Sequence, residues 1–347
     1  MGRDLGVHPA LFALGAAILF GASTPFAKIL LSNLAPLPLA ASLYLGSGCG
    51  ILPFLALRGR KGKEAAMRRG DLPWLFGGIF FGGILAPVIL LYGLERTSAS
   101  TGSLLLNVEL VATALGAYAL FHEEITRRVW GAIAVLVAGS ILLSWNGMEA
   151  LGFSSGALVI IAAAGLWGID NNLTCVIAGK DPLVIAALKG FLAGGVLFAG
   201  SLIIPGSVPP PETLAPALLL GFFSYGLSTI LFILSLRSLG STRTSSYFST
   251  APFIGAILSL LIFRNTPGIF FFLALILMLA GLYLLTRETH NHLHRHYRIV
   301  HEHRHRHDLR HLHEGEGSGE HAHFHVHEEE MHAHPHTPDL HHKHEKE

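Results

Sequence analysis

The stretch Leu166-Trp167-Gly168-Ile169-Asp170-Asn171-Asn172-Leu173-Thr174 places three strongly polar residues in succession inside an apolar run that extends from 156 to 178. The run has the length of a membrane-spanning helix, because about 20 apolar residues are needed to cross the hydrocarbon core. An aspartate at the centre of such a helix opposes insertion by roughly 2.5 to 3.5 kcal/mol. A buried charge of this kind indicates a polar function or a polar contact within the membrane.

Two other apolar runs carry polar residues inside them. The run 182–204 contains Lys189, and the run 98–121 contains Asn107 and Glu109 near its middle. With a rise of about 1.5 Å per residue, Asp170 lies about 12 Å and Lys189 about 10 Å from the same end of their helices. These depths are close enough for pairing. Two interpretations stay open: an ion pair that locks the sixth and seventh helices together, or a pair that faces a cavity and binds substrate or a proton.

Glu109 has no lysine or arginine near it on its own helix. A carboxyl group in such a site suits a proton carrier, and the alternative is a protonated glutamic acid that serves with Asn107 as a contact between helices. Asn171 and Asn172 point about 100° apart on a helix, so at most one shares a cavity with Asp170 while the other bonds a neighbouring helix. The candidate substrate or proton residues are Glu109, Asp170, Lys189, Asn107, Asn171 and Asn172.

The rest of the chain has the composition of a membrane protein. Hydrophobic residues make up 51% of the 347 residues, and only 27 Lys, Arg, Asp and Glu occur before residue 287, less than half the share of a soluble domain. Continuous apolar runs without alternation predict helices rather than a β-barrel, because backbone groups in lipid must be hydrogen-bonded. The ten runs are approximately 9–31, 36–57, 73–94, 98–121, 129–146, 155–178, 182–204, 214–236, 242–263 and 267–286.

Basic residues predict the orientation in the membrane. Twelve lysines and arginines lie on the side of the N-terminus, against two or three on the other side. Cytoplasmic loops carry the excess of basic residues, and an even number of spans returns the chain to its starting side, so we expect both termini in the cytoplasm. The twelve are Arg3, Arg58, Arg60, Lys61, Lys63, Arg68, Arg69, Arg127, Arg128, Lys180, Arg237 and Arg243.

The first five runs resemble the last five. The stretch 20–28, Phe-Gly-Ala-Ser-Thr-Pro-Phe-Ala-Lys, aligns with 167–175, and 93–121 aligns with 235–263. An odd number of helices per repeat forces opposite orientations, which predicts an inverted repeat with the binding site between the halves. The expected fold is therefore an all-α polytopic membrane protein. It has ten transmembrane helices in two inverted five-helix repeats, 9–146 and 155–286, and a tail, 287–347.

These features resemble the EamA family of the drug/metabolite transporter superfamily. The resemblance rests on the ten spans, on Phe20-Gly21 and Trp167-Gly168 in the opening helix of each half, and on a Ser/Thr-rich turn before an apolar helix that ends at Phe121-His122-Glu123-Glu124. It implies a multi-pass inner-membrane carrier that mostly exports metabolites, amino acids or toxic compounds through a central cavity. This chain departs from the family in its fourth helix, which has Glu109 where a proline is usual; the ninth helix keeps Pro252.

The tail 287–347 holds 20 of the 22 histidines, mostly in the pattern His-x-His. Because few apolar residues interrupt the pattern, the tail cannot bury a core, and we expect it to be disordered without a ligand. Imidazoles in this spacing can bind divalent zinc, nickel, cobalt or copper. The candidate metal ligands are His301, His303, His305, His307, His321, His323, His325, His327, His332, His334 and His336.

The sequence is compatible with two transport functions. In the first, the protein is a secondary-active exporter of a small polar metabolite, coupled to protons through Glu109 and Asp170, with the tail as a regulatory or accessory segment. In the second, the cargo is a divalent transition metal collected by the tail, although the ten runs contain no histidine. No nucleotide-binding loop, nucleophile-and-base pair or cofactor fingerprint indicates an enzyme. We expect no required cofactor and no nucleic-acid partner, and a homodimer stays open.

Overall fold

The structure is a computed structural model that describes residues 8–58, 64–121, 126–145, 154–203, 209–286, 290–296, 299–305, 321–327 and 330–336. Between 8 and 286 the regular elements of these residues are helices, and they form ten spans, numbered from the N-terminus. The predicted all-helical membrane part is confirmed, with span ends that differ from the expected ones by a few residues.

Spans 1 to 5 form the first repeat and spans 6 to 10 the second. The helices of the first repeat are Pro9–Gly21 and Ser23–Leu30 in span 1, Pro36–Arg58 in span 2, Arg69–Asp71, Leu72–Gly78, Ile79–Leu85 and Ala86–Glu95 in span 3, Ala99–Leu105 and Val108–Phe121 in span 4, and Arg127–Ser144 in span 5. Those of the second repeat are Ser155–Val176 in span 6, Pro182–Ser201 in span 7, Pro211–Gly221, Phe222–Leu227 and Ser228–Phe248 in spans 8 and 9, Ala251–Phe263 in span 9, and Ile269–Thr286 in span 10.

Spans 8 and 9 follow each other without a loop. The helix Ser228–Phe248 is broken at Gly240, whose φ of 73° lies in the region that favours glycine. Residues 211–239 therefore form span 8 and residues 241–263 form span 9. Of the eight stretches in the described chain that are long and apolar enough to cross a membrane, Pro211–Phe263 contains both of these spans, and the shorter helix Ile269–Leu284 supplies the tenth.

The packing of the spans shows the internal repeat. Span 1 packs on spans 8 and 9, and its counterpart, span 6, packs on spans 3 and 4. Spans 2 and 7, spans 4 and 9, and spans 5 and 10 are pairs of counterparts, and the members of each pair pack on each other. A two-fold axis that relates two inverted repeats requires this exchange of partners. It brings spans 1 and 6 to the centre of the bundle.

Helices in the centre are interrupted at matching positions of the two repeats. Span 3 contains the π-helix Ile79–Leu85, and span 8 contains the π-helix Phe222–Leu227. Span 4 is interrupted at 106–107 and span 9 at 249–250. Each interruption alters the regular ladder of backbone hydrogen bonds, so carbonyl oxygens near the middle of the bundle become available to side chains.

Beyond span 10 the structure describes four strands in the tail. His290–His296 (β1) pairs antiparallel with Glu330–His336 (β4), and Ile299–His305 (β2) pairs antiparallel with His321–His327 (β3). Alternation of histidine with other residues has the two-residue period of a strand. Disorder of the tail without a ligand stays a prediction.

Candidate functional site

A cavity lies between the two repeats, at the level where the central helices are interrupted. It encloses about 600 Å³, part of which is open to solvent. Spans 1, 2, 4, 6, 7, 8 and 9 contribute to its lining, which combines aromatic rings and hydroxyl groups with the charged side chains of Glu109, Asp170 and Lys189. A mainly apolar cavity with a few polar groups is typical of a small-molecule site.

Asp170 and Lys189 form an ion pair at the cavity wall. Lys189 Nζ donates to Asp170 Oδ1 at 2.7 Å and to Oδ2 at 2.6 Å, and the Thr174 hydroxyl donates to Oδ1 at 2.9 Å. Both charged side chains are buried. The structure thus contains the contact that their depths made feasible. The pair joins spans 6 and 7 and also borders the cavity, so the structural and the functional interpretation are compatible.

Span 3 has glycines where it meets this ion pair. A Cβ atom at Gly82 would lie 1.9 Å from Asp170 Oδ2, and one at Gly78 would lie 2.7 Å from Oδ1. The carboxylate can therefore approach span 3 only because these residues have no side chain. Within the π-helix, the Gly82 carbonyl accepts hydrogen bonds from Tyr44 Oη at 2.6 Å and Trp167 Nε1 at 3.0 Å. Spans 2, 3, 6 and 7 are held together around the pair.

Glu109 is buried without a cationic partner among the described residues. It lies in the first turn of the helix Val108–Phe121, where the positive end of the helix dipole favours a negative charge. Asn171 Nδ2 donates to Glu109 Oε1 at 2.8 Å and contacts the Thr113 hydroxyl at 3.1 Å. The hydrogen-bond partner of Glu109 is thus neutral, in contrast to the lysine that faces Asp170.

The two asparagines that follow Asp170 have different surroundings. Asn171 lines the cavity with Glu109. Asn172 Nδ2 instead donates to the backbone carbonyl of Thr113 at 3.0 Å, and so joins spans 4 and 6. This geometry follows the division that helical angles predicted, with one amide at the cavity and the other between helices. The use of Asn171 by a substrate stays a prediction.

Asn107 lies away from the lining of this cavity. Its Nδ2 atom donates to the Leu104 carbonyl at 3.1 Å and contacts Met278 Sδ at 3.8 Å in span 10. Asn107 thus contacts span 10, whereas Glu109 accepts its hydrogen bond from Asn171 of span 6. The interruption at 106–107 directs Asn107 toward span 10.

Six aromatic rings from five spans form a connected group at the cavity, which we call the ring cluster. Phe20 lies at its centre, with ring centroids 5.5 Å from Trp167, 5.7 Å from Tyr225 and 5.3 Å from Phe248. Sequence analysis missed this cluster. Its one signal was the alignment of Phe20 with Trp167 as repeat counterparts. The cluster consists of Phe20, Tyr44, Trp167, Tyr225, Phe232 and Phe248.

A second, smaller cavity lies next to the first at the interruptions of spans 4 and 9. It encloses about 260 Å³ and shares Glu109, Phe20 and Phe248 with the first cavity. Pro252 also lines it. In the alignment of 93–121 with 235–263, Glu109 is the counterpart of Ala251, the residue before Pro252, so both positions lie at the border between the two cavities.

Cationic side chains bond backbone carbonyls at both ends of the bundle. Arg237, at the end of span 8, donates to the carbonyls of Ala178 at 3.0 Å and Lys180 at 2.8 Å, and pairs with Glu64 at 3.0 Å. At the opposite end, Lys28 of span 1 donates to carbonyls 94 and 95 at the end of span 3. Arg237 thus joins span 8 to the connection between spans 6 and 7, and Lys28 joins span 1 to the end of span 3.

The predicted metal ligands of the tail lie mostly in its strands. His301, His303 and His305 lie in β2, 321–327 forms β3, and 332–336 lies in β4, whereas His307 lies outside the described residues. In the backbone register His301 is opposite His325 and His303 is opposite His323. In the part of the chain that the structure describes, no three or more His, Cys, Asp or Glu side chains are grouped so that they could hold a metal ion. Metal binding by the tail stays a prediction.

Comparison with known proteins gives the family. The model of the EamA-like transporter family matches residues 8–145 and 154–287. An uncharacterized transporter of Methanothermobacter thermautotrophicus is 29% identical over 290 residues, which cover 78% of this chain and 83% of that protein. An uncharacterized transporter of Archaeoglobus fulgidus is 24% identical over 287 residues, which cover 79% of this chain and 96% of that protein.

A solved crystal structure of a protein has the same fold. It aligns with a TM-score of 0.62 at 18% identity and covers 80% of this chain and 95% of that chain. The family model covers both repeats, and the packing of the spans follows the same division. The chain therefore belongs to the EamA-like transporter family.

Proposed function

We propose that the protein is a secondary-active transporter that exports a small polar metabolite across the cell (inner) membrane in exchange for protons. The observation that carries this proposal is the position of Glu109, a buried carboxyl group with a neutral partner at the border of two cavities between the repeats. Ionisable groups inside a membrane protein mark substrate and proton pathways. If proton and substrate use this carboxyl group in turn, their movements are coupled.

The ion pair supplies the second charged group of the same cavity. Asp170 uses both of its carboxylate oxygens for Lys189, so it can exchange a proton only when the pair opens. Asp170 therefore acts in proton exchange after Glu109 and depends on the position of Lys189.

The contacts at the two ends of the bundle support alternating exposure of the cavity. Arg237 and Lys28 hold opposite faces with hydrogen bonds to backbone carbonyls. Of these contacts the Arg237–Glu64 ion pair joins the two repeats, so rocking of one repeat against the other can break it while the bonds of Lys28, which lie within the first repeat, stay. The excess of basic residues supports a cytoplasmic location for the face of Arg237 and for both termini. Reporter fusions at Ala65 and Arg287 should both report cytoplasm, and a periplasmic signal from either would refute this orientation.

A proton-exchange assay tests the function. Inverted membrane vesicles from cells that express the protein are acidified inside and loaded with a fluorescent probe of the pH gradient. Polar metabolites are then added one at a time, and an exchanged substrate restores fluorescence because protons leave with its entry. We expect this response in wild-type vesicles and not with Glu109→Gln. Glu212→Gln is the control, since that side chain is exposed at the start of span 8.

The outcome that contradicts coupling is specific. A metabolite that intact cells export through the protein, but that leaves the vesicle pH gradient unchanged, would show transport without proton exchange. Export that persists unchanged in Glu109→Gln cells would in addition assign Glu109 to packing.

We also propose that the tail binds divalent zinc, nickel, cobalt or copper as an accessory segment. Its twenty histidines offer many imidazoles, and the strand register brings histidines opposite each other in the backbone pairing. Each imidazole must be neutral to bind a metal, and the ordinary pKa of imidazole is about 6.5, so binding should weaken below about pH 6. Titration calorimetry of the full chain with zinc, compared with a chain truncated after Thr286, tests this. Equal metal uptake by the two would refute it.

Metal as the cargo remains the alternative to a metabolite. The lining of the central cavity offers oxygen ligands, and no histidine or cysteine occurs among the lining residues in the described part of the chain. Transition-metal sites usually include imidazole or thiolate ligands. The accessory role of the tail is therefore preferred, and loss of zinc flux at low free zinc after truncation would favour the alternative.

A further inference from the structure

We propose that the metabolite recognised by the central cavity is a small organic cation, of the alkylammonium or quaternary ammonium class. This inference rests on the proposed function and names the substrate class of the same site. Three features of the cavity carry it: the net charge of its lining, the ring cluster, and the fact that Lys189 is already engaged.

The charge of the lining favours a cation. The charged residues that border the cavity are Glu109, Asp170 and Lys189. Asp170 and Lys189 neutralise each other through two hydrogen bonds, so the ionised Glu109 leaves one negative charge without a cationic partner among the described residues. An isolated charge inside a membrane protein is unfavourable, and a bound cation would compensate it.

The ring cluster supplies a second attraction for the same charge. Aromatic rings carry partial negative charge on their faces, and cages of such rings bind quaternary ammonium groups. Six rings line the cavity as one connected group around Phe20. The polar hydrogens of Tyr44 and Trp167 are already donated to the Gly82 carbonyl. These two rings can therefore offer a ligand the faces of their π-systems, whereas their hydrogen-bond donors are already used.

Other charge classes fit this lining less well. An anion would meet the Glu109 carboxylate and the ring faces, and both repel it. A zwitterion would need a cation for its carboxylate, but Lys189 is held by both oxygens of Asp170 and lies against the glycines of span 3. A neutral polar compound would leave the charge of Glu109 uncompensated. An organic cation is the class whose binding satisfies the lining as it stands.

An isosteric pair of ligands tests the role of charge directly. Choline and 3,3-dimethylbutan-1-ol have nearly the same shape. The alcohol has an uncharged quaternary carbon where choline has its positively charged ammonium nitrogen. Binding of each to the full-length protein in lipid nanodiscs is measured by titration calorimetry, with benzyltrimethylammonium as a larger cation. We expect the cations to bind at least tenfold more tightly than the alcohol.

Variants assign the effect to the site. Glu109→Gln should weaken cation binding at least tenfold, whereas Glu109→Asp keeps the charge and should retain most of it. Phe248→Leu should weaken binding roughly two- to thirtyfold, the range of one cation–π contact. Phe272→Leu is the matched control, because that ring is exposed on the outside of span 10 and does not border the cavity. Thermal melting of each variant shows whether it is folded.

The results separate this inference from the proposed function. Binding is measured without a pH gradient, so cation binding with no proton exchange would contradict coupling and leave the substrate class standing. A pH-gradient response to an anion or a neutral metabolite, with no binding of either cation, would overturn the substrate class and leave proton exchange standing. Equal affinity for choline and its uncharged isostere, or no binding of either cation, overturns the inference.

Discussion

Asp170 and Glu109 are two buried carboxyl groups that border the same cavity but have opposite kinds of partners. Asp170, on span 6, is held by a lysine and a threonine hydroxyl. Glu109, on span 4, receives one hydrogen bond from the neutral amide of Asn171. The negative charge of Asp170 is therefore neutralised by Lys189. The charge of Glu109 is offset only by the dipoles of neutral groups.

The surroundings of the two groups explain what each can do. Glycines of span 3 close directly on Asp170, so its carboxylate has little room to move. Glu109 lies at an interruption of span 4 and borders two cavities. A group that must exchange ligands needs free space and no permanent counter-charge. Both requirements favour Glu109 over Asp170 as the first group to exchange a proton.

The largest effect should come from removing one member of the ion pair. Asp170→Ala or Lys189→Ala leaves a buried charge without its partner, which should cost about 3 to 5 kcal/mol of folding free energy. The double alanine variant should recover much of this, because no charge is then stranded. Membrane expression and melting temperature measure the effect, and transport should stay absent in all three. Equal expression of the two single variants and the wild type would show that the residues do not meet in the cell.

A smaller effect should come from span 3, where Gly82→Ala places a methyl group 1.9 Å from Asp170 Oδ2. The ion pair must shift to relieve this contact, and overpacking of this kind typically costs about 1 to 3 kcal/mol. Gly165→Ala is the matched control, since a Cβ atom there has nothing within 4 Å. Melting temperatures compare the two. If both variants melt like the wild type, span 3 does not close on Asp170 as described.

Glu109→Gln should change stability least among the cavity variants, because the amide keeps the size and the hydrogen-bonding capacity of the side chain. Its effect should appear in transport, whose dependence on pH should be lost. The charged groups that share the cavity, Asp170 and Lys189, neutralise each other and should not replace it. Uptake into vesicles at several external pH values measures this. A full pH dependence in the variant would show that Glu109 is structural.

Truncation after Thr286 should have the smallest effect on the membrane part. The ten spans lie before this residue, and their packing involves both repeats. We expect an unchanged melting temperature and unchanged metabolite transport, together with loss of zinc binding measured per protein molecule. A truncated protein that is folded but transports no metabolite would assign the tail to the translocation process.

The spans and their repetition could be predicted from the amino-acid sequence alone. Apolar runs of membrane length, the basic bias of alternate loops and the alignment of Phe20 with Trp167 predicted ten helices in two inverted halves, because the bilayer imposes length and polarity on each segment locally. The sequence also identified Glu109, Asp170 and Lys189 as unusual, since a charge in an apolar run is visible without any knowledge of the fold.

Which of these groups are paired depends on the tertiary structure. Depth along a helix can be read from residue numbers, but the direction of a side chain depends on how the helices pack and where they are interrupted. The break at 106–107 directs Asn107 away from Glu109, and the π-helix of span 3 presents the Gly82 carbonyl to two aromatic side chains. The ring cluster likewise joins residues far apart in the chain, because five spans meet around one two-fold axis.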